Sequence, residues 1–368
     1  MPDFIPGLEL CGRFYREAIR PILDADFPGL VHSAAMIHTG SEVLGFDTPQ
    51  STDHNWGPRV DLFLTERDQP YFAESITETL RHKLPYQFCG YSTNFAPVSG
   101  EPRSVLPQDV QTGPINHRVF VYTVRSFFKD YLAFDISNEI SPADWLTFPD
   151  QKLRTLTSGS VYHDGLGDLT VLQAKLSYYP RDVWLYLLAS VWGRIGQEEA
   201  FVGRCGAVGD DLGSRVIAAR LVRDLMRLCF LSERQYAPYP KWFGTGFSRL
   251  NCAEELTPIF QRVLSAENWR ERESHLSEAY SIVAEMHNSL GITASLPTKV
   301  SSFHERPYLV IHGDEFSGAI KAEIKDPEVQ RIAAKTTIGS IDQFSDSTDL
   351  IAYAGLRQHL VSLYADES

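Results

Sequence analysis

After about residue 166 the hydrophobic period of this chain changes, and the change divides it. Before that point apolar residues come in short runs of strand type. Leu30 to Ile37 reads as a buried strand running up to Gly40–Ser41, residues 59–65 (RVDLFLT) alternate, and Val119 to Val124 (VFVYTV) is β-branched and aromatic. Helices are expected over 7–23 and from Pro70 to Leu84, and residues 85–115, rich in Pro, Gly, Ser and Gln, read as a long loop or flap. Beyond the change, DVWLYLLASVWGRIGQEEAF, SRVIAARLVRDLMRLCFLSERQY and HLSEAYSIVAEMHNSL carry broad apolar stripes at helical spacing. The last stretch holds a strand-like PYLVIHG, a helix, a polar loop IGSIDQFSDSTDL and a closing helix. The expected fold class is α/β + α: a small mixed sheet domain at 1–160, a helical bundle at 161–295 and a small C-terminal α/β cap at 296–368.

Composition narrows the classes. With 368 residues, 43% of them hydrophobic, the chain can fill more than one core. A net charge of -13 with no run of Lys or Arg argues against nucleic acid and anionic membranes as partners. A nucleotide needs only a few local cations and remains compatible. The five cysteines (Cys11, Cys89, Cys205, Cys229 and Cys252) are odd in number and lack CxxC spacing, which suits reduced thiols in the cytoplasm. No secretory leader and no membrane span are expected. Oligomeric state is not legible.

The most informative segment is Gly40-Ser41-Glu42-Val43-Leu44-Gly45, followed by Ser51-Thr52-Asp53-His54-Asn55-Trp56-Gly57-Pro58-Arg59-Val60-Asp61-Leu62. A strand feeding a Gly-Ser turn, with a helix behind it, cradles phosphate on backbone N–H groups. An acid returning beside that turn, such as Asp53, can hold Mg²⁺.

This pattern resembles the nucleotidyltransferase superfamily, in which Gly-Ser is followed after a spacer by a pair of acids. The wider chain resembles an uncharacterised nucleotidyltransferase-like family of the DUF4037 type, related to the antibiotic nucleotidyltransferases. That resemblance rests on GSEVLGFD, STDHNWGPR, ADWLTFPDQKL, SGSVYHD, YYPRDVWLYLLA, QEEAFVGR, RLVRDLMRLCFL, YAPYPKWF and IGSIDQFSDSTDL. It implies Mg²⁺-dependent transfer of a nucleotidyl group from an NTP to a small-molecule acceptor. Asp53, Asn55 and Asp61 would hold the metal, and Gly40 and Ser41 the phosphates. Glu199 or Glu198 would be the base on the acceptor hydroxyl, and Lys241 would meet the leaving phosphates. Two positions depart from the superfamily. Asn55 stands where a second carboxylate belongs, and the strand His117 to Tyr122 offers no third one. The alternatives are a nucleotide- or metabolite-binding protein on a degenerate site, or the fold recruited to other biosynthetic chemistry.

Other groups have a functional and a structural reading each. Arg220, Arg223, Arg227 and Arg234 recur at helical spacing, so Arg223 and Arg227 are candidate triphosphate ligands; the structural alternative pairs the stripe with Asp210, Asp211, Asp224 and Glu233. Glu198 and Glu199 have Arg194 and Arg204 as possible ion-pair partners. His163–Asp164 suits a substrate hydroxyl or an Asx-type turn, and His54 is more readily structural. The aromatics Tyr178, Tyr179, Trp184, Tyr186, Trp192, Tyr236, Tyr239 and Trp242 suit a core better than a stacking platform. Asp342, Asp346 and Asp349 could form a cation loop, but N-capping by Ser345 or Ser347 explains them more simply.

Overall fold

A computed structural model of the chain describes residues 3–345 and 347–365; Asp346, in the expected cation loop, lies outside the described residues. The chain divides into two compact units. The first comprises Met1–Glu139 and Lys152–Ser177, the second Ile140–Gln151 and Tyr178–Ser368.

The first unit is built on four strands: β1 (Ser33–Met36), β2 (Arg59–Leu64), β3 (Arg118–Thr123) and β4 (Ser160–Asp164). Their order is β3-β2-β1-β4, with β2 and β3 parallel and β1 antiparallel to both β2 and β4. The sheet is therefore mixed, as expected. Every residue of β2 is buried, so both its faces are covered. Alternation puts Val60, Leu62 and Leu64 into a core shared with Leu10, Phe14, Ile76 and Leu80. Arg59, Asp61 and Phe63 take the opposite face. Helix α1 (Gly7–Phe14) runs through a π turn at Tyr15–Ile19 into Arg20–Asp26, and α2 (Gln69–Lys83) matches the expected second helix.

Residues 85–115 correct the expected loop. They form two antiparallel hairpins, Gln87–Phe88 with Tyr91–Ser92, and Phe95–Val98 with Glu101–Pro107. Turn residues dominate the composition there and mask the pairing. The stretch after 140 is helical. Ser141 and Asp144 form a capping box on Pro142–Thr147, and α3 (Asp150–Ser158) follows.

The second unit is mostly helical. Its main members are α4 (Arg181–Glu198), α5 (Asp211–Ser232), α6 (Pro240–Phe247), α7 (Trp269–Ser289) and α8 (Gly313–Ala322). Trp184, Tyr186 and Trp192 are buried, and Trp192 stacks on Phe316 at 4.2 Å, so these aromatics are core. The expected PYLVIHG strand shrinks to Leu309–Val310, paired with Ser301–Ser302. Ser347 caps Thr348–Ala352 by accepting from the Leu350 N–H. Among the described residues, no helix is long and apolar enough to cross a membrane.

Candidate functional site

The Gly40–Ser41 turn follows β1, but no helix starts there. Residues 41–45 form a tight turn closed by Gly45 N–H to Glu42 O and Phe46 N–H to Ser41 O. The expected helix dipole is thus missing, since the chain must turn again before the 3-10 segment Pro49–Asp53. A buried charge lies against the turn instead. A Cβ on Gly40 would fall 2.2 Å from Arg59 Nη2 and 2.5 Å from Glu42 Oε2, so only glycine allows this approach.

Arg59 and Asp61 share one face of β2 because they are two residues apart. Arg59 Nη2 donates to the Thr39 carbonyl and stands 2.6 Å from Glu42 Oε1, with both side chains nearly fully buried. The Glu42 oxygen lies off the hydrogen-bond direction. As a result Glu42 Oε1, Arg59 Nε and Asp61 Oδ2 are three buried polar atoms without a hydrogen-bond partner. Most buried polar atoms are satisfied, so a local group of three calls for a ligand, a water or a functional explanation. The surrounding cations are Arg118, whose guanidinium lies over Phe95 at 5.5 Å, and Lys152, which donates to the Tyr131 carbonyl at 2.6 Å. His38 feels Arg59, Lys152 and Arg118, and burial with these charges pushes it down to about 3, so it stays neutral. Desolvation pulls Arg118 down to about 10 and Lys152 to about 8, which leaves both largely charged at pH 7.

Burial pushes Asp61 up from 3.8 to about 6 against the pull of Arg59. Between these values the folded protein holds a proton that the unfolded chain has lost. Stability is therefore expected to fall as pH rises from 3.8 to about 6, and to level off above. Asp61→Asn should remove that slope and raise stability at pH 7 by up to about 3 kcal/mol. Urea unfolding of both proteins from pH 4 to pH 8 reads this directly; a variant less stable at pH 7 would mean that Arg59 holds Asp61 as a carboxylate.

The residues expected to hold Mg²⁺ do not form one donor set. The Asp53 side chain is 66% exposed on a surface turn and is bound to its neighbour His54 at 2.9 Å, which lowers its pKa. Asn55 adopts φ 53°, and its Oδ1 already accepts from the Val105 N–H at 3.0 Å. Asp61 is buried on β2 beside Arg59, a cation where a second acid would be needed. Among the described residues no group of three or more His, Cys, Asp and Glu is placed to hold a metal. The donor chemistry thus does not fit the ion.

The remaining candidates lie in the second unit. Glu199 is buried and accepts from the Ile311 N–H at 2.6 Å and the Gly313 N–H at 3.3 Å, so it holds the bend before α8. Burial pushes it up to about 7. Glu198 pairs with Arg220 at 2.5 Å, not with Arg194 or Arg204, while Arg194 binds Asp224. Lys241 is exposed, its Nζ 5.1 Å from the Trp242 ring centre. The arginine stripe ends early. Helix α5 stops at Ser232, and Arg234, at φ 51°, lies over Trp184 at 4.2 Å. Arg223 and Arg227 stay together, both facing the Phe243 ring and lining a cavity of about 10 Å³ with Asp150, Tyr239 and Asp342. At the end of β4, Asp164 accepts from Ser33 Oγ and from the Gly167 and Thr170 N–H groups, which is a turn-forming role.

The sequence reading passed over Glu42, Arg59, Arg118, His38 and Lys152 in the first unit and Asp150 in the second. One signal was present: in RVDLFL the charged positions 59 and 61 alternate with apolar ones, which puts both on one face.

Among curated proteins none matches this sequence. A solved structure of a nucleotidyltransferase-like protein from Exiguobacterium sibiricum 255-15 is similar at 11% identity, covering 83% of this chain and 88% of that one, with a TM-score of 0.33. So loose a superposition carries no argument. Residues 145–243 match the family model described as a domain of unknown function, DUF4037. That segment holds Asp150, Arg223, Arg227, Tyr239 and Phe243, and over it the expected resemblance to the DUF4037 family is borne out.

Proposed function

We propose that the chain binds the phosphates of a nucleotide at the Gly40–Ser41 turn through protein cations, without Mg²⁺. The observation that carries this reading is the buried Arg59 guanidinium packed against Gly40, whose Nε–H has no hydrogen-bond partner. Gly40 and Ser41 are half-buried, so a ligand can reach the turn from solvent. Beneath it stand Arg59, Arg118 and Lys152 against Glu42 and Asp61, a local positive balance in a chain of net charge -13. Phosphate oxygens would accept from Arg59, and backbone N–H groups of the turn would add to the cradle. The choice of a nucleotide over another phosphate ester rests on the family resemblance alone.

Calorimetric titration of ATP in EDTA, and again in Mg²⁺, tests this. Binding of similar strength in both is expected, and Asp53→Ala should leave it unchanged. Binding that appears only with Mg²⁺ and is lost in Asp53→Ala would overturn the reading. It would favour instead the metal-dependent nucleotidyl transfer to a small acceptor that the resemblance implies, with release of pyrophosphate as its readout.

A further inference from the structure

Among the described residues, buried arginines have partners, with one exception. Arg59 faces Glu42 and Thr39, Arg272 binds Ser214, Asp211 and the Ala266 carbonyl, and Arg357 binds Asp144. Arg227, in the middle of α5 and 7% exposed, makes no hydrogen bond and no ion pair among the described residues. Its Nε is buried without a partner, and its guanidinium faces the Phe243 ring at 5.5 Å. An unpartnered buried guanidinium is costly, and proteins keep such groups chiefly where a ligand completes them.

The cavity beside it is lined by Asp150, Arg223, Arg227, Tyr239, Phe243 and Asp342 and measures about 10 Å³, room for about one water as it stands. The two acids are engaged elsewhere. Asp150 accepts from the Tyr179 hydroxyl, and Asp342 Oδ2 accepts from the Asp150 N–H at 2.7 Å. Burial and the neighbouring carboxylate push Asp342 up to about 7 against the pull of Arg227, and burial raises Asp150 as well. The pocket therefore has a planar donor fork and an aromatic wall. It lies wholly within the second unit and owes nothing to the Gly40–Ser41 turn.

We propose that this cavity is a binding site for a tetrahedral oxyanion, a phosphate either free or at the end of a phosphate ester, with Arg227 as its principal donor and Arg223 as the second. Planar guanidinium forks match the oxygen spacing of phosphate, and the ligand supplies the acceptors that Arg227 lacks. Entry of the anion replaces the water-sized space and separates Arg227 from Phe243.

The test uses the full chain with inorganic phosphate and, separately, sulfate as probes. Either anion is expected to raise the unfolding midpoint of the wild type. Arg227→Met, which keeps length without charge, is expected to unfold about 2–4 °C higher than the wild type in anion-free buffer, because it removes a buried guanidinium that has no hydrogen-bond acceptor. It should also weaken anion binding at least tenfold, roughly the loss of one charge-assisted fork. An Arg227→Met protein that is less stable in anion-free buffer, or that responds to phosphate as the wild type does, would overturn the proposal. Should the variant not fold, the arginine Nε–H resonances of the labelled wild type decide. One of them shifting on phosphate addition supports the site, and none shifting refutes it. A parallel titration with ATP separates the sources: competition with phosphate for the Arg227-dependent site marks a nucleotide tail as the ligand, and its absence marks a free or smaller ester phosphate.

Discussion

Arg59→Ala is expected to cost the protein about 3–5 kcal/mol, the usual consequence of breaking one side of a buried ion pair. Arg59 is the central cation of its unit's charged cluster. It stands 2.6 Å from Glu42, shares a strand face with Asp61 and packs under Gly40. Its removal takes away the cation that holds Asp61 down, so Asp61 should take up a proton more readily and the loss should be larger at pH 8 than at pH 5. Glu42→Ala alone should also destabilise, because it strands Arg59. The double variant should cost less than the two single changes together, since the remaining cavity holds neither half of the pair. Urea unfolding of the four proteins at pH 8 gives the coupling. Additive losses would mean that Glu42 and Arg59 act independently, and the cluster would then be a packing feature and no anion cradle. ATP binding in EDTA should be lost in Arg59→Ala and kept in Asp61→Asn.

The second large effect is steric. A Cβ on Gly313 would lie 2.5 Å from the Trp192 carbonyl and 2.7 Å from the Gly196 nitrogen, and one on Gly196 would lie 2.5 Å from the Asp314 nitrogen. These are backbone atoms on both sides, so no side-chain rotation relieves the overlap. Helices α4 and α8 cross on two glycines, and the same crossing brings Trp192 face to face with Phe316. Gly313→Ala should therefore push the helices apart, loosen that stack and cost about 1–3 kcal/mol or somewhat more. The bend before α8, held by Glu199 through Ile311 and Gly313, would be disturbed with it. Gly318→Ala in the same helix is the control. Nothing lies within 4 Å of its Cβ position, so better helix propensity should make that change neutral or stabilising by up to about 1 kcal/mol. Thermal unfolding of the two variants separates the cases, and equal midpoints would remove the steric argument.

Much of the fold was legible because period and composition agreed. RVDLFLT and VFVYTV became the parallel pair β2 and β3, and the striped segments became α4, α5 and α7. The hairpins between 87 and 107 were hidden, since Gly and Pro at turns outweigh short strands in any local reading. The site was less legible. Spacing brought Asp53 to notice, but spacing says nothing about burial, and Asp53 stands in solvent. Arg59, the residue packed against the Gly-Ser turn, looked like an ordinary strand-opening arginine. Asp150 and Asp342 meet across the chain through tertiary packing, which no local pattern records. Arg227 was visible as part of a stripe; that it alone among the buried arginines of the described residues lacks a hydrogen-bond partner is a fact of three dimensions.

The interleaving of the two units sets a schedule for folding during synthesis. Strand β1 lies between β2 and β4, and Ser33 pairs with Asp164. While the chain is being made, β2 can close on β1 and β3 on β2 early, but the far edge of β1 stays bare until β4 emerges. In that interval residues 140–151 have also left the ribosome, and the helices they pack with, from Tyr178 onward, do not yet exist. A half-made chain thus carries an open strand edge and an orphan helical segment together, both of them sites for pairing with the wrong neighbour. Slow, non-local closure of this kind favours dependence on chaperones, and it places the chain's most aggregation-prone moment in the stretch of synthesis just before β4.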